Sequence, residues 1–230
     1  MQNWQIKLEE TNKLIFVGEY KKAKEILYEL ISSTSGTPNY LVILRLAELE
    51  NKLGDFDLFF QQIKEKKWSN KLVIHLISLI SANQSPDFIL DDLNKNMLNN
   101  AEYDQVIVEY CRGICFEKLK SMNEAQKSYE QVIQKNEEWY PALFALSQIH
   151  YQLGDMKKGD SYFYLYEKKS PYSVYGNIET HQFLAKFFLE REDFSYAKKA
   201  ILSLSRWWED HKNYCPDEIK IFELIYLSKI

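Results

Sequence analysis

Cys111 and Cys115 lie one helical turn apart, a spacing at which two thiolates could supply half of a tetrahedral zinc site. Zinc needs two more ligands, and no second cysteine pair or histidine pair at ligand spacing accompanies them. The two thiols therefore read as small apolar packing groups. The four histidines, His75, His150, His181 and His211, are scattered, and none stands in an HExxH pattern or beside a nucleophile motif. Asp91-Asp92 and Glu137-Glu138 are adjacent carboxylates, which a helix sends to different sides, so they read as solvated rather than as an acid–base pair. Lys64, Lys66, Lys67 and Lys71 form a basic cluster that suits a helix end. Arg206-Trp207-Trp208 stands apart, because two adjacent tryptophans cannot both enter one core from a helix. One of them is then a candidate docking anchor beside a cation. No catalytic set, metal site, cofactor site or phosphate loop emerges, and the expectation is a protein that is not an enzyme.

The elements that would carry these residues are helices. From Tyr140 to Pro171, two amphipathic runs flank Gly154-Asp155 and a proline closes the second. Gly154 can take the left-handed conformation that stops the first helix, and the Asp155 carboxylate can cap the second. An acidic or polar residue followed by an apolar one recurs along the chain. The series is Glu19-Tyr20, Asp55-Phe56, Asp87-Phe88, Ser121-Met122, Asp155-Met156 and Asp193-Phe194, at spacings of 36, 32, 34, 34 and 38 residues. A hairpin cannot bury its apolar face alone, so recurrence at this period predicts a stack of hairpins sharing one core.

Leu143, Leu146-Ser147, His150, Gly159, Phe163 and Pro171 follow the pattern of a tetratricopeptide repeat, which the stretch resembles, with His150 in place of an aromatic. The resemblance implies an all-α, right-handed α-solenoid of about six hairpins. These would run over 4–33, 40–67, 71–99, 105–135, 140–171 and 178–208, with a C-terminal capping helix over 216–230, as one superhelical domain over 1–230. The copies differ. Phe59 stands where a small residue is usual and should tilt its helix. Asp91-Asp92 takes the small place in the third copy, 94–100 should fray, and Ser173 to Asn177 reads as an insertion.

Composition fits this picture. Apolar residues make 46% of the chain, with Tyr 16 and Phe 13, enough for a continuous core, while Gly 7 and Pro 5 are too sparse for a linker-rich chain. A formal net charge of −4 gives no electrostatic case for nucleic acid. The N-terminal segment MQNWQIKLEE lacks the basic-then-apolar order of a signal peptide, and the longest apolar stretch is too short to span a bilayer. A cytoplasmic protein, more readily a monomer than an oligomer, is the default expectation.

In proteins that look like this, the first helix of each hairpin lines a concave groove. That places Arg45, Tyr110, Phe144, Gln148, Tyr151, Gln182 and Lys186 on the partner-binding face, with Arg206, Trp207 and Trp208 as an alternative docking surface. Asn12 and Arg45 could fill two places of the family's carboxylate clamp, but Leu8, Ile74 and Ser78 occupy the others, so the clamp is incomplete. The resemblance thus implies an adaptor that binds another protein or peptide in its groove. A chaperone-like holder of a secreted or assembling subunit, or a structural assembly subunit docking through its ends or convex face, are the alternatives.

Overall fold

A computed structural model describes residues 3–16, 18–33, 40–57, 59, 63, 71–81, 84–169, 174–210 and 225–227. Every regular element among the described residues is helical. In chain order they are α1 (Asn3–Phe16), α2 (Tyr20–Ser32), α3 (Tyr40–Leu53), α4 (Lys71–Ser81) and α5 (Pro86–Asp92), which runs into a π-helical turn (Leu93–Met97). Then follow α6 (Gln105–Lys118), α7 (Met122–Lys135), α8 (Tyr140–Gln152), α9 (Met156–Lys169), α10 (Val174–Glu190) and α11 (Phe194–Asp210). A further helical segment opens at Phe56.

One elbow is built five times. The backbone N–H of Glu19, Asp55, Ser121, Asp155 and Asp193 donates to the carbonyl five residues earlier, on Leu14, Glu50, Phe116, His150 and Phe188. The residue before each of them, Gly18, Gly54, Lys120, Gly154 or Glu192, has φ between 60° and 83°. Its N–H reaches back three residues. This is the Schellman arrangement, which satisfies carbonyls that a helix end would leave orphaned. The same five residues then accept, through their own carbonyls, the N–H four residues on, so the end of one helix is the start of the next. At Asp155 the carboxylate adds a cap to Lys158 N–H, at 3.2 Å.

The third elbow departs from expectation. Helix α5 starts at Pro86, with Ser85 as its N-cap residue, so the turn lies at Ser85 rather than at Asp87-Phe88. Ser85 makes no side-chain cap; its carbonyl accepts Ile89 N–H at 3.2 Å. Counted from Ser85, the small-residue place falls on buried Ile89 and not on Asp91-Asp92. The segment 94–100 is also ordered rather than frayed. Gln105 Nε2 donates to the carbonyls of Met97, Asn100 and Tyr103, and its Oε1 accepts Asn99 N–H. One amide thereby holds a loop whose backbone has few regular partners. Residues 174–177 are not an insertion between elements but the first turn of α10, which is 17 residues long. The expected capping helix over 216–230 lies outside the described residues, except for helical 225–227.

The chain divides into two compact units, one made of Met1–Ala23 with Pro171–Ile230, the other of Lys24–Ser170. In the first, α1 packs on α10 and α10 on α11. Its interior holds Leu8, Ile15, Leu184, Ala185, Phe188, Ala197, Ile201 and Leu204. In the second, α4, α5, the π turn and α6 enclose Leu76, Leu79, Ile89, Leu93, Met97, Val108, Cys111 and Cys115. A neighbouring cluster gathers Ala125, Tyr129, Val132, Trp139, Ala142, Ala145, Leu146 and Ile149. Ile107, Tyr110 and Ile114 of α6 lie against both clusters and join them into one core.

Candidate functional site

The elbow gives a common origin for comparing first helices. Eleven residues before it stand Leu44, Ile74, Tyr110 and Phe144 in the Lys24–Ser170 unit, and all four are half-buried. Each has one side against the core and one side open. Tyr110 sits against the rings of Tyr129 and Trp139, at centroid distances of 5.7 and 5.8 Å. Phe144 lies 5.2 Å from Tyr166. Seven residues before the elbow stand exposed Glu48 and half-buried Ile114 and Gln148. The row is thus apolar and aromatic, with a polar margin.

Eight residues before the elbow the side chain is small or tightly packed: Ala47, Ile77, Gly113 and Ser147 are all buried. At Gly113 the reason is direct, since a Cβ there would lie 2.7 Å from carbons of the Tyr129 ring. The Tyr129 hydroxyl donates to Glu117, one turn beyond Gly113. In the next hairpin the arrangement is reversed. Gly159 is on the second helix, a Cβ on it would lie 2.5 Å from the Tyr151 ring, and Tyr151 of the first helix donates to Asp160 at 2.9 Å.

This corrects one site expectation. Tyr151 is only 2% exposed. Its ring fills the notch over Gly159, so it packs the hairpin and is closed to a partner. Of the other expected residues, Tyr110, Phe144 and Gln148 stand on α6 and α8, and Arg45 on α3 pairs with Glu48 at 2.9 Å. Gln182 and Lys186 are on α10 in the other unit, where Lys186 faces Glu190 at 3.9 Å. The side chains of Arg206, Trp207 and Trp208 lie outside the described residues, as do Lys64, Lys66, Lys67 and His211. Asn12 is buried.

The thiols of Cys111 and Cys115 are both buried, and burial pushes Cys115 up to about 12 and Cys111 well above its ordinary value. Neither is a nucleophile at neutral pH. Among the described residues no group of three or more His, Cys, Asp or Glu could hold a metal ion. No helix among them is long and apolar enough to cross a membrane.

Sequence inspection missed a polar cluster in the third hairpin. Asp92 is not solvated. Its carboxylate is 2.6 Å from His75 Nε2 and 2.7 Å from Lys71 Nζ, and accepts Asn96 Nδ2 at 2.6 Å. His75 Nδ1 faces Gln84 Oε1 at 3.2 Å. Burial opposes ionisation of Asp92, but the bonds from Lys71, His75 and Asn96 outweigh it and bring its pKa down to about 2. The cluster staples α4 to the π turn, and its exposed neighbour Asp91 pairs with Lys95 at 2.8 Å. The signal available in the sequence was a histidine on an otherwise apolar helix facing a carboxylate two helices' worth of chain later.

No protein-family model matches the chain. No curated protein matches it either. Among solved structures, PilW, titled a widely conserved type IV pilus biogenesis factor, is similar with a TM-score of 0.53 and 15% sequence identity, covering 96% of this chain and 99% of PilW. At that identity the likeness concerns the fold and nothing beyond it. Eleven-residue offsets, repeated elbows and the PilW likeness together assign the chain an all-α, helical-repeat fold.

Proposed function

We propose that this chain is a non-catalytic protein-interaction factor of the tetratricopeptide kind, holding a segment of another protein against its first helices. The observation that carries the reading is the row Leu44, Ile74, Tyr110 and Phe144, half-exposed at one equivalent place in successive helices. Aromatic and aliphatic groups fixed by packing on one side lose little freedom when a partner covers the other. Gln148 and the Arg45–Glu48 pair at the margin can satisfy a partner's backbone. The likeness to PilW, a biogenesis factor, favours a role in assembly within this class, as adaptor or as holder of an assembling subunit.

The test is site-specific photo-crosslinking in cells of origin, with a photoreactive phenylalanine at 44, 74, 144 or 148. Exposed Lys127 and Lys157 on second helices serve as controls. One protein captured from several row positions and not from the controls is the expected result. Capture at the controls alone, or equally everywhere, overturns the row as the binding face.

A further inference from the structure

The molecule buries two histidines, and they are built differently. His75 has a partner on each ring nitrogen, Gln84 and Asp92. His150 is 3% exposed, and its Nε2 has no hydrogen-bond partner among the described residues. A buried polar atom left unsatisfied in a packed interior calls for an explanation. The His150 ring lies flat on Tyr162, at 5.3 Å and 11°. Tyr162 in turn packs on the cluster that holds Ala125, Tyr129 and Val132 of α7. His150 is therefore at the seam where α7, α8 and α9 meet. The equivalent places five residues before the elbow at Ser121 and Asp193 carry Phe116 and Phe188. A phenyl ring suits the position, and only the imidazole can gain a proton there.

We propose that His150 is a proton-sensitive joint, whose protonation in mild acid loosens the α8–α9 hairpin from α7. A charged imidazole needs an acceptor at both nitrogens. Here Nδ1 faces Asp155 Oδ2 only at 4.0 Å, while Nε2 faces none. The charged groups around the ring oppose one another. Lys158 on α9 repels the imidazolium, and Asp155 at the elbow and Glu130 on α7 attract it. Glu130 already accepts Gln126 at 2.8 Å, and Asp155 already caps α9 through Lys158 N–H. Burial is the largest influence, and with Lys158 it holds the His150 pKa below its ordinary value. The unfolded chain then binds the proton better than the folded one. Stability from this site is whole above the unfolded histidine pKa of about 6.5 and falls as the pH drops through it.

The experiment compares urea unfolding of the full chain at pH 7.5 and pH 5.5 for wild type and His150→Phe. The wild-type midpoint should fall on acidification by more than that of His150→Phe. An equal fall in both chains overturns the proposal. Should His150→Phe fail to fold, an NMR titration of the wild-type imidazoles decides. A His150 midpoint below that in the urea-unfolded chain supports the joint, and a midpoint at or above it overturns it.

Discussion

Hairpins α6–α7 and α8–α9 solve one packing problem in opposite senses. In the first, the glycine is on the leading helix and the tyrosine crosses over from the second, Tyr129 onto Gly113. In the second, the tyrosine leads and the glycine follows, Tyr151 onto Gly159. In both, a carboxylate beside or one turn beyond the glycine receives the phenol hydroxyl. The hairpin needs a close approach and a ring to fill it, and it is indifferent to which helix supplies which. The hairpin α4–α5 has no glycine at all. Ile77 and Ile89 hold the equivalent places, and the His75–Asp92–Lys71 cluster ties the helices by charge.

Removing the ring is the largest way to break the comparison. Tyr129→Ala and Tyr151→Ala should each lower stability by about 3–5 kcal/mol, as for other buried aromatics. Tyr129→Ala should be the worse, because Tyr110 also rests on that ring. Urea unfolding followed by circular dichroism measures both. If either variant unfolds like wild type, the ring is not what closes its hairpin.

The third hairpin supplies the contrast. Asp92→Ala leaves His75 and Lys71 without their carboxylate and should cost about 2–3 kcal/mol, below the figure for a fully buried pair because Lys71 is half exposed. Wild type should also lose this contribution in acid. The folded pKa of Asp92, about 2, is below its ordinary 3.8, so the stabilisation is present above about pH 4 and disappears as the pH falls towards 2. Asp92→Asn should flatten that part of the stability–pH profile. An unchanged acid limb would show that Asp92 is not the group responsible.

Filling the notch comes next in size. Gly113→Ala and Gly159→Ala each push a methyl into a ring that is itself buried, an overpacking of about 1–3 kcal/mol, which the better helix propensity of alanine offsets by about 1. Shrinking the ring should rescue each one in its own hairpin. Tyr129→Leu should relieve Gly113→Ala but not Gly159→Ala, and Tyr151→Leu the reverse. Double-mutant cycles by urea unfolding test this, and cross-rescue would mean that the two hairpins are not independent locks.

Much of this was legible because elbows leave marks. Gly18, Gly54 and Gly154 advertise the positive φ that a Schellman turn requires. Lys120 and Glu192 adopt the same conformation without the glycine, and there only the polar–apolar pair after the turn gave the position away. The third elbow was misplaced because Asp87-Phe88 imitates that pair, whereas Pro86, confined to the first turn of a helix, sets the start. Tyr151 was assigned to the open face because its offset on α8 lies at the edge of both faces. The glycine eight residues on was the clue that its ring turns inward. The Asp92–His75 pair has no local mark, since it depends on where two helices cross.

The finest distinction between the two locks is their carboxylates. Glu117 is half-buried, and burial raises its pKa despite the bond from Tyr129 and the nearby charges of Lys118 and Lys120. Asp160 is exposed, so water can replace the hydroxyl of Tyr151. Tyr151→Phe should therefore cost about 1 kcal/mol or less at any pH. Tyr129→Phe strands a desolvated carboxylate and should cost about 1–2 kcal/mol once Glu117 ionises, with its pKa displaced further upward. A folded carboxyl group with a raised pKa resists losing its proton, so the penalty of Tyr129→Phe should be larger at pH 8 than at pH 4.5. Paired unfolding curves at the two pH values read this directly. A flat difference for Tyr129→Phe, or a sloping one for Tyr151→Phe, would mean that the hydroxyls, unlike the rings, are held alike in both hairpins.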